Sequence, residues 1–456
     1  MSAPKPYSPP RPKPMGPLAS LVRVMMQGDG DLLGLMPASA YHDDIGPLGY
    51  SRRSIWIVND PALTRPILYD DDDLFPKNDL MVGALAPLVG NSMFVSSGAV
   101  WRKQRAMIDP AFSHMRLAKA FPAMQSALDD FTTRLRSHSG PISLDLAMGQ
   151  LTADIICRTV FSASLADETA RDVFESFAYF ERTVANVEIM QLIFGRPFDA
   201  ITQKPDVLAA CARIRTHIGN LLDRHLEKGA RFDDIAARVI DARDLDSGTS
   251  FTRDELIDQL GVFFLAGHET TASGLTWALF IAAQRPDVAE RVRHEVRTFC
   301  GGGAIGFEQV KKLTYTRNVF KETLRLYPPI TFIPRVAAAP TQIGHQKIKR
   351  GAMIMISPWA IHRHQKLWRE PDVFDPDRFA PDRETEIIAG AYLPFGQGPR
   401  VCVGAAFATT EATLILAQLL RDFDFHIQAP EKVRPIARLT TRPADEIMMQ
   451  VKPRHD

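Results

Sequence analysis

Charge of one sign is what this 456-residue chain lacks most plainly: 54 lysines and arginines stand against 53 acidic residues, a formal net charge of +1. A general nucleic-acid binder should be markedly basic, so no nucleic-acid partner is expected. Cysteine is scarce as well. Cys157, Cys211, Cys300 and Cys402 lie far apart and form no CxxC pair. That spacing argues against a disulfide framework, and no secretory signal opens the chain, so reduced thiols and a cytoplasmic location are expected. Internal repeats and obvious linkers are absent too. Length alone would allow two or three domains, but without a linker a single large domain over residues 18–456 is expected. It follows an extended lead, residues 1–17, in which seven residues are proline.

Long hydrophobic runs are equally few. The longest, Gly261–Ala283, could span a bilayer by length. His268, Glu269, Thr270 and Thr271 sit near its middle, where lipid would impose a heavy penalty. It reads as a buried helix of a soluble protein, and no membrane anchor is expected. What is present is a composition 45% hydrophobic and 23% charged, ample for a large core.

Local patterns set the fold class. Arg53–Val58 reads as a short strand, and Asp60-Pro61 as the cap and first turn of a helix ending near Asp70. Helical periodicity dominates from Arg116 through Arg325. Arg285-Pro286-Asp287 separates the long helix from another over Val288–Phe299, which stops at Gly301-Gly302-Gly303. After Pro328-Pro329 the period changes, and Thr341–Ser357 reads as a hairpin with Arg350-Gly351 near its turn. A helix returns over Val403–Arg421 and short strands close the chain. The expected fold is mainly α with minor β.

The densest chemical signal is Phe395-Gly-Gln-Gly-Pro-Arg-Val-Cys-Val-Gly404. Its glycines allow tight turns and close approach of backbone to a cofactor. Cys402 sits where a helix begins, and helix-start amides favour a thiolate over a thiol. A thiolate is the electron-rich ligand that promotes O–O cleavage at haem iron. A lone cysteine would more often be an inert core residue; this arginine and glycine spacing reverses that. The segment resembles the haem-binding signature of the cytochrome P-450 family, Phe-x-x-Gly-x-Arg-x-Cys-x-Gly. The resemblance implies haem b held between the long central helix and the cysteine-loop helix. It also implies Cys402 as axial iron ligand, Phe395 and Gly396 beside the sulfur, and Arg400 pairing with a haem propionate.

Ala266-Gly267-His268-Glu269-Thr270-Thr271 lies within the long helix. Gly267 and the threonines lower helix propensity, and threonine hydroxyls can bond back to carbonyls one turn earlier. A groove there could hold water or dioxygen beside a carboxylate and hydroxyl able to relay protons, a contribution of roughly 10²–10⁴-fold. On its own the hexapeptide is better read as a polar patch between packed helices. It is similar to the family's oxygen-binding helix, which implies Thr270 as distal threonine, Glu269 as its acid partner and Ala266 against the haem. His268 falls at the variable position and reads as structural.

Further motifs follow in the family's order. Glu322-Thr-Leu-Arg325 resembles its Glu-x-x-Arg element, and Phe374-Asp-Pro-Asp-Arg-Phe379 its proline–acid–arginine–phenylalanine element. Together they imply a buried structural network of Glu322, Arg325 and Arg378. Trp101-Arg-Lys-Gln-Arg105 resembles the Trp-x-x-x-Arg helix, so Trp101 and Arg105, with Arg335, are implied propionate contacts. Arg102 and Lys103 are expected to face solvent.

The family implies an apolar pocket from Asp79–Val95, Val184–Phe198, Phe263–Thr270 and Ile330–Ile333, with Met190, Ile193 and Phe194 at its lining or mouth. Their apolar character suits a fatty-acid, terpenoid or steroid-like substrate. No flavin or iron–sulfur motif is visible, so a separate ferredoxin or flavodoxin with an NAD(P)H-dependent reductase is the expected electron source. The expected activity is monooxygenation, RH + O2 + two electrons + two protons giving ROH + H2O. A peroxide-driven oxidase or isomerase on the same haem, and a non-enzymatic haem or ligand-binding protein, are the alternatives. Family members of the first kind tend to lack the acid–threonine pair or to carry a modified cysteine loop, and this chain shows neither departure.

Overall fold

The computed structural model describes residues 6–27, 31–48, 54–70, 74–184, 204–229 and 231–454. Two short strands, β1 (Ile45–Pro47) and β2 (Ile55–Val58), precede helices α1 (Pro61–Tyr69), α2 (Asp79–Val89), α3 (Gly98–Ile108) and α4 (Leu144–Phe161). The central helix α5 (Arg253–Gln284) leads to α6 (Pro286–Cys300) and α7 (Thr314–Leu326). Strands β3 (Ile333–Val336), β4 (Thr341–Ile343), β5 (Gln346–Ile348) and β6 (Met353–Ile356) come next. They are followed by α8 (Ala405–Asp422) and the hairpin of β7 (Pro435–Ala437) and β8 (Thr441–Pro443). The mainly helical class with minor β is as the sequence implied. Among the described residues no helix is long and apolar enough to cross a membrane.

Caps, more than hydrophobicity, set the helix ends. The Asp60 carboxylate accepts the amides of Ala62 and Leu63 at 2.8 and 3.1 Å, starting α1 at Pro61. Helix α5 begins eight residues before the apolar run because Thr252 and Glu255 form a reciprocal capping box, a device worth about 0.5–2 kcal/mol. Helix α6 starts at Pro286, earlier than the periodicity suggested, since proline suits the first helical position.

Four strands form one sheet in the order β1-β2-β6-β3, with β2 and β6 parallel and the outer pairs antiparallel. The expected hairpin over Thr341–Ser357 is shorter than the sequence reading. Strands β4 and β5 pair with Ile343 opposite Gln346, so the turn is Gly344-His345, not Arg350-Gly351. Gly344 has φ +57°, the backbone a two-residue hairpin turn demands. Strand β6 pairs instead with β2 and β3.

Helix α5 joins two hydrophobic cores. Leu256, Leu260 and Phe264 belong to one, while Leu275, Trp277 and Phe280 belong to the other. Between them, Ala266, Gly267 and Thr270 are half-buried, in a stretch from Leu256 to Ala282 whose other residues are buried. Gly267 has a packing reason the sequence did not disclose: a Cβ there would lie 2.5 Å from Ile156 Cδ1 of α4. The described part of the proline lead is tied to the core. Pro10 accepts the Tyr327 hydroxyl at 2.6 Å and Tyr7 accepts the Phe374 amide at 2.9 Å.

Candidate active site

The cysteine loop is closed by backbone. The Cys402 amide donates to the Phe395 carbonyl at 2.9 Å, and Gly396 and Gly398 adopt φ +74° and +76° between them. At Gly398 a Cβ would fall 2.4 Å from the Leu68 carbonyl oxygen of α1, so only glycine fits. At Gly396 a Cβ would meet nothing within 4 Å. Cys402 is the exposed one of the four cysteines, while Cys157 and Cys211 are buried. Its thiol is nonetheless ringed by protein: burial pushes its pKa up, opposed by the Gly404 amide and the Arg105 charge. The residue thus reaches solvent while its thiol lies among protein atoms. A metal cation bound at this sulfur would favour the thiolate.

The residues fit a haem on their own geometry. An accessible thiol lies on the loop before α8, Phe395 is half-buried on that loop, and open space adjoins Gly396. Helix α8 packs against α5. Ala266 of α5 and Phe407 of α8 are half-buried against the same core, as are Met81, Val82 and Ala84 of α2. Cationic side chains cluster near the loop. The Arg400 guanidinium stacks 4.2 Å from the Trp101 ring, and its Nη2 donates to the Ser96 carbonyl at 3.1 Å. Arg105, four residues beyond Trp101, is engaged by the cysteine loop. It donates to the Val401 carbonyl at 2.7 Å and pairs with Asp109 at 2.5 Å, because the loop backbone comes down over its end of α3. Arg335 is buried on β3, donating to its neighbour Pro334 at 3.1 Å.

The acid and the threonine part company. The Thr270 hydroxyl donates to the Ala266 carbonyl at 2.6 Å, one turn back on the half-exposed face. Glu269 is 8% exposed and faces the C-terminal hairpin. Its Oε1 accepts the Thr440 hydroxyl at 2.6 Å and also an Arg442 N–H. Sequence reading missed Thr440 and Arg442 entirely; they lie 171 and 173 positions away, and no local signal marks them. His268 is buried, its Nδ1–H donating to the Phe264 carbonyl at 2.8 Å, edge-on to Phe174 and Phe177.

Behind the loop, Glu322, Arg325 and Arg378 converge. Arg325 makes two 2.7 Å bonds to the Glu322 carboxylate, and both side chains are wholly buried. Remaining guanidinium protons go to the carbonyls of His362, Pro371 and Val373. Arg378 reaches Glu322 at 3.3 Å and the carbonyls of Arg369 and Glu370. Such complete satisfaction is what a buried charge cluster requires. The segment Val184–Phe198, including Met190, Ile193 and Phe194, lies outside the described residues apart from the backbone of Val184.

Comparison with known proteins gives the family and the fold. Residues 30–453 match the family described as cytochrome P450. Cyclooctatin synthase of Streptomyces melanosporofaciens is 30% identical over 96% of this chain and 92% of its own length. Cyclooctat-9-en-7-ol 5-monooxygenase of the same organism is 32% identical over 85% and 83% of the two chains. Pentalenene oxygenase of Streptomyces avermitilis is 26% identical over 90% of each. The fold is that of the crystal structure of the cytochrome P450DA heme domain, with a TM-score of 0.84, 22% identity and coverage of 99% and 98%. Membership implies a haem cofactor, a redox partner and a hydrophobic substrate. With the family's match spanning almost the whole chain and its relatives named as monooxygenases and oxygenases, this chain belongs to the cytochrome P450 family and is a P450 monooxygenase.

Proposed function

We propose that this chain hydroxylates an apolar, terpenoid-like substrate at a haem b held by Cys402, using electrons from a separate ferredoxin or flavodoxin and its NAD(P)H-dependent reductase in the cytoplasm. Its domain runs from residue 18 to 456, behind the short proline lead. The observation that carries the reading is the accessible Cys402 on the loop that leads into α8, a helix packed against α5, whose Ala266, Gly267 and Thr270 are half-buried between two cores. Relatives named for cyclooctatin, cyclooctat-9-en-7-ol and pentalenene favour the terpenoid class over fatty acids and steroids.

Haem, when bound, would supply oxygen activation and the redox chemistry. Cys402 would ligate its iron, with Phe395 and Gly396 beside the sulfur and Ala266 against the macrocycle. Trp101, Arg105, Arg335 and Arg400 are the groups suited to its propionates. Met81, Val82 and Ala84 offer apolar contact to substrate and exclude water, gaining roughly 25 cal/mol per Å² buried. Thr270, whose hydroxyl proton is committed to Ala266, presents its oxygen as an acceptor on the open face. Glu269 is the carboxylate that takes up and returns protons.

The test is the carbon monoxide difference spectrum of dithionite-reduced protein, wild type beside Cys402→Ser, followed by spin-state titration with terpene alcohols, terpene hydrocarbons, fatty acids and sterols. A strongly red-shifted Soret band lost in the variant, and shifts confined to terpenes, are expected. A band at the wavelength of histidine ligation would sink the assignment of Cys402, and shifts with fatty acids alone would sink the substrate class.

A further inference from the structure

The carboxylate of Glu269 is gripped from the far end of the chain. Thr440 and Arg442 both donate to its Oε1. They flank Thr441, the first residue of β8. Thr441 fixes the hairpin in place. Its carbonyl accepts the Trp277 indole N–H at 3.2 Å and the Ser273 hydroxyl, both from α5. Its hydroxyl donates to the Pro328 carbonyl at 2.6 Å, and its amide to the Pro329 carbonyl at 2.9 Å. The hairpin is therefore docked one to two turns along α5 from Glu269, at the stretch where that helix passes between cores. The Glu269 and Arg442 side chains are 11% and 27% exposed, so the pair is largely shielded from water, where charge-assisted bonds are strong and directional. A glutamate on a helix can swing through several rotamers; two donors converging on one oxygen leave it one.

We propose that Arg442, assisted by Thr440, is a positioning residue for proton delivery: it holds the Glu269 carboxylate in a single orientation at the C-terminal hairpin, so oxygen activation depends on that hairpin. This rests on the reading that Glu269 relays protons. Neither Arg442 nor Thr440 touches the reacting atoms in this scheme. Both act through Glu269. When positioning fails, dioxygen takes two electrons and two protons and leaves as H2O2 instead of oxidising substrate.

The experiment uses the haem-loaded full chain as wild type, Arg442→Ala, Arg442→Lys, Glu269→Gln and the Arg442→Ala/Glu269→Gln double variant. Product and peroxide per NADPH are measured with a surrogate ferredoxin and its reductase, using the panel terpene that gives the largest spin-state shift. Solvent deuterium effects and urea unfolding midpoints are measured alongside. Arg442→Ala should lower product per NADPH about tenfold, in the range of lost supporting contacts at active sites. It should raise the solvent isotope effect and leave the carbon monoxide spectrum unchanged. Arg442→Lys should restore most of the coupling. The double variant should be no worse than Glu269→Gln, and the urea midpoints should be non-additive, as for residues in direct contact. Wild-type coupling in Arg442→Ala beside an impaired Glu269→Gln, or effects that multiply in the double variant, would overturn the proposal while sparing the relay. An unimpaired Glu269→Gln would overturn the relay itself, and this proposal with it.

Discussion

The imidazole of His362 ties the glutamate–arginine helix to the cysteine loop: its Nε2 accepts the Leu393 amide at 2.9 Å. That acceptor role fixes the tautomer, so Nδ1–H donates to the Arg325 carbonyl at 3.1 Å. The histidine is wholly buried and stacks on Tyr392. No motif drew attention to it, yet it links Arg325 to the loop that carries Cys402.

Burial and the neighbouring Arg325 charge push the His362 pKa down to about 3. The unfolded chain takes up a proton near pH 6.5 that the native state refuses, so stability falls as pH drops from about 6.5 toward 3, by up to about 1.4 kcal/mol per pH unit. Urea unfolding between pH 7.5 and 4.5 should show a shallower acid slope for His362→Gln than for wild type. Equal slopes would mean that His362 is not held neutral.

His225 responds in the opposite sense. Burial opposes its charge, but the Asp234 carboxylate at 2.8 Å prevails and raises its pKa. Its contribution is fully present below the unfolded value near 6.5 and is lost as pH rises through the higher native value. Asp234 also caps the helix Ile235–Ile240. NMR titration of the His225 ring should give a native pKa above 6.5, and a lower value would refute the pairing.

Glu322→Ala leaves the buried guanidinium of Arg325 without its carboxylate. Loss of one partner in such a pair costs about 3–5 kcal/mol. Thermal unfolding should drop sharply, with reduced haem content in the purified protein. A variant as stable as wild type would show that the carbonyls around Arg325 suffice.

Gly398→Ala places a methyl group against the Leu68 carbonyl in backbone at φ +76°. Strain of this kind costs about 1–3 kcal/mol, and relief must move the cysteine loop. The fraction of protein showing the thiolate-type carbon monoxide band should fall, whereas Gly396→Ala, with open space at its Cβ, should lose only the backbone term.

Thr270→Ala removes a hydroxyl bonded only one turn back on its own helix, so folding and haem binding should survive. Peroxide released per NADPH should rise several-fold at the expense of product, within the roughly 10²–10⁴-fold scope of acid–base assistance. Unchanged coupling would remove Thr270 from proton delivery.

The family, the mainly helical class and the cysteine loop were legible because their causes are local. Positive-φ glycines, a capping aspartate before proline and an apolar helix each leave a mark within a few residues. The partners of those residues were not legible. Gly267 looked like a weak point in a helix, yet it admits Ile156 from α4. Arg105 stood out only as part of a Trp-x-x-x-Arg pattern, yet it also donates to the Val401 carbonyl of the cysteine loop. The last forty-odd residues carried no motif, yet Thr440 and Arg442 hold Glu269. Sequence by itself therefore determined which chemistry this protein carries, since the groups that bind and turn sit within short motifs. Only tertiary structure decided how those groups are held. Contacts between residues more than 170 positions apart depend on packing of whole elements, and packing leaves no period or spacing in the chain.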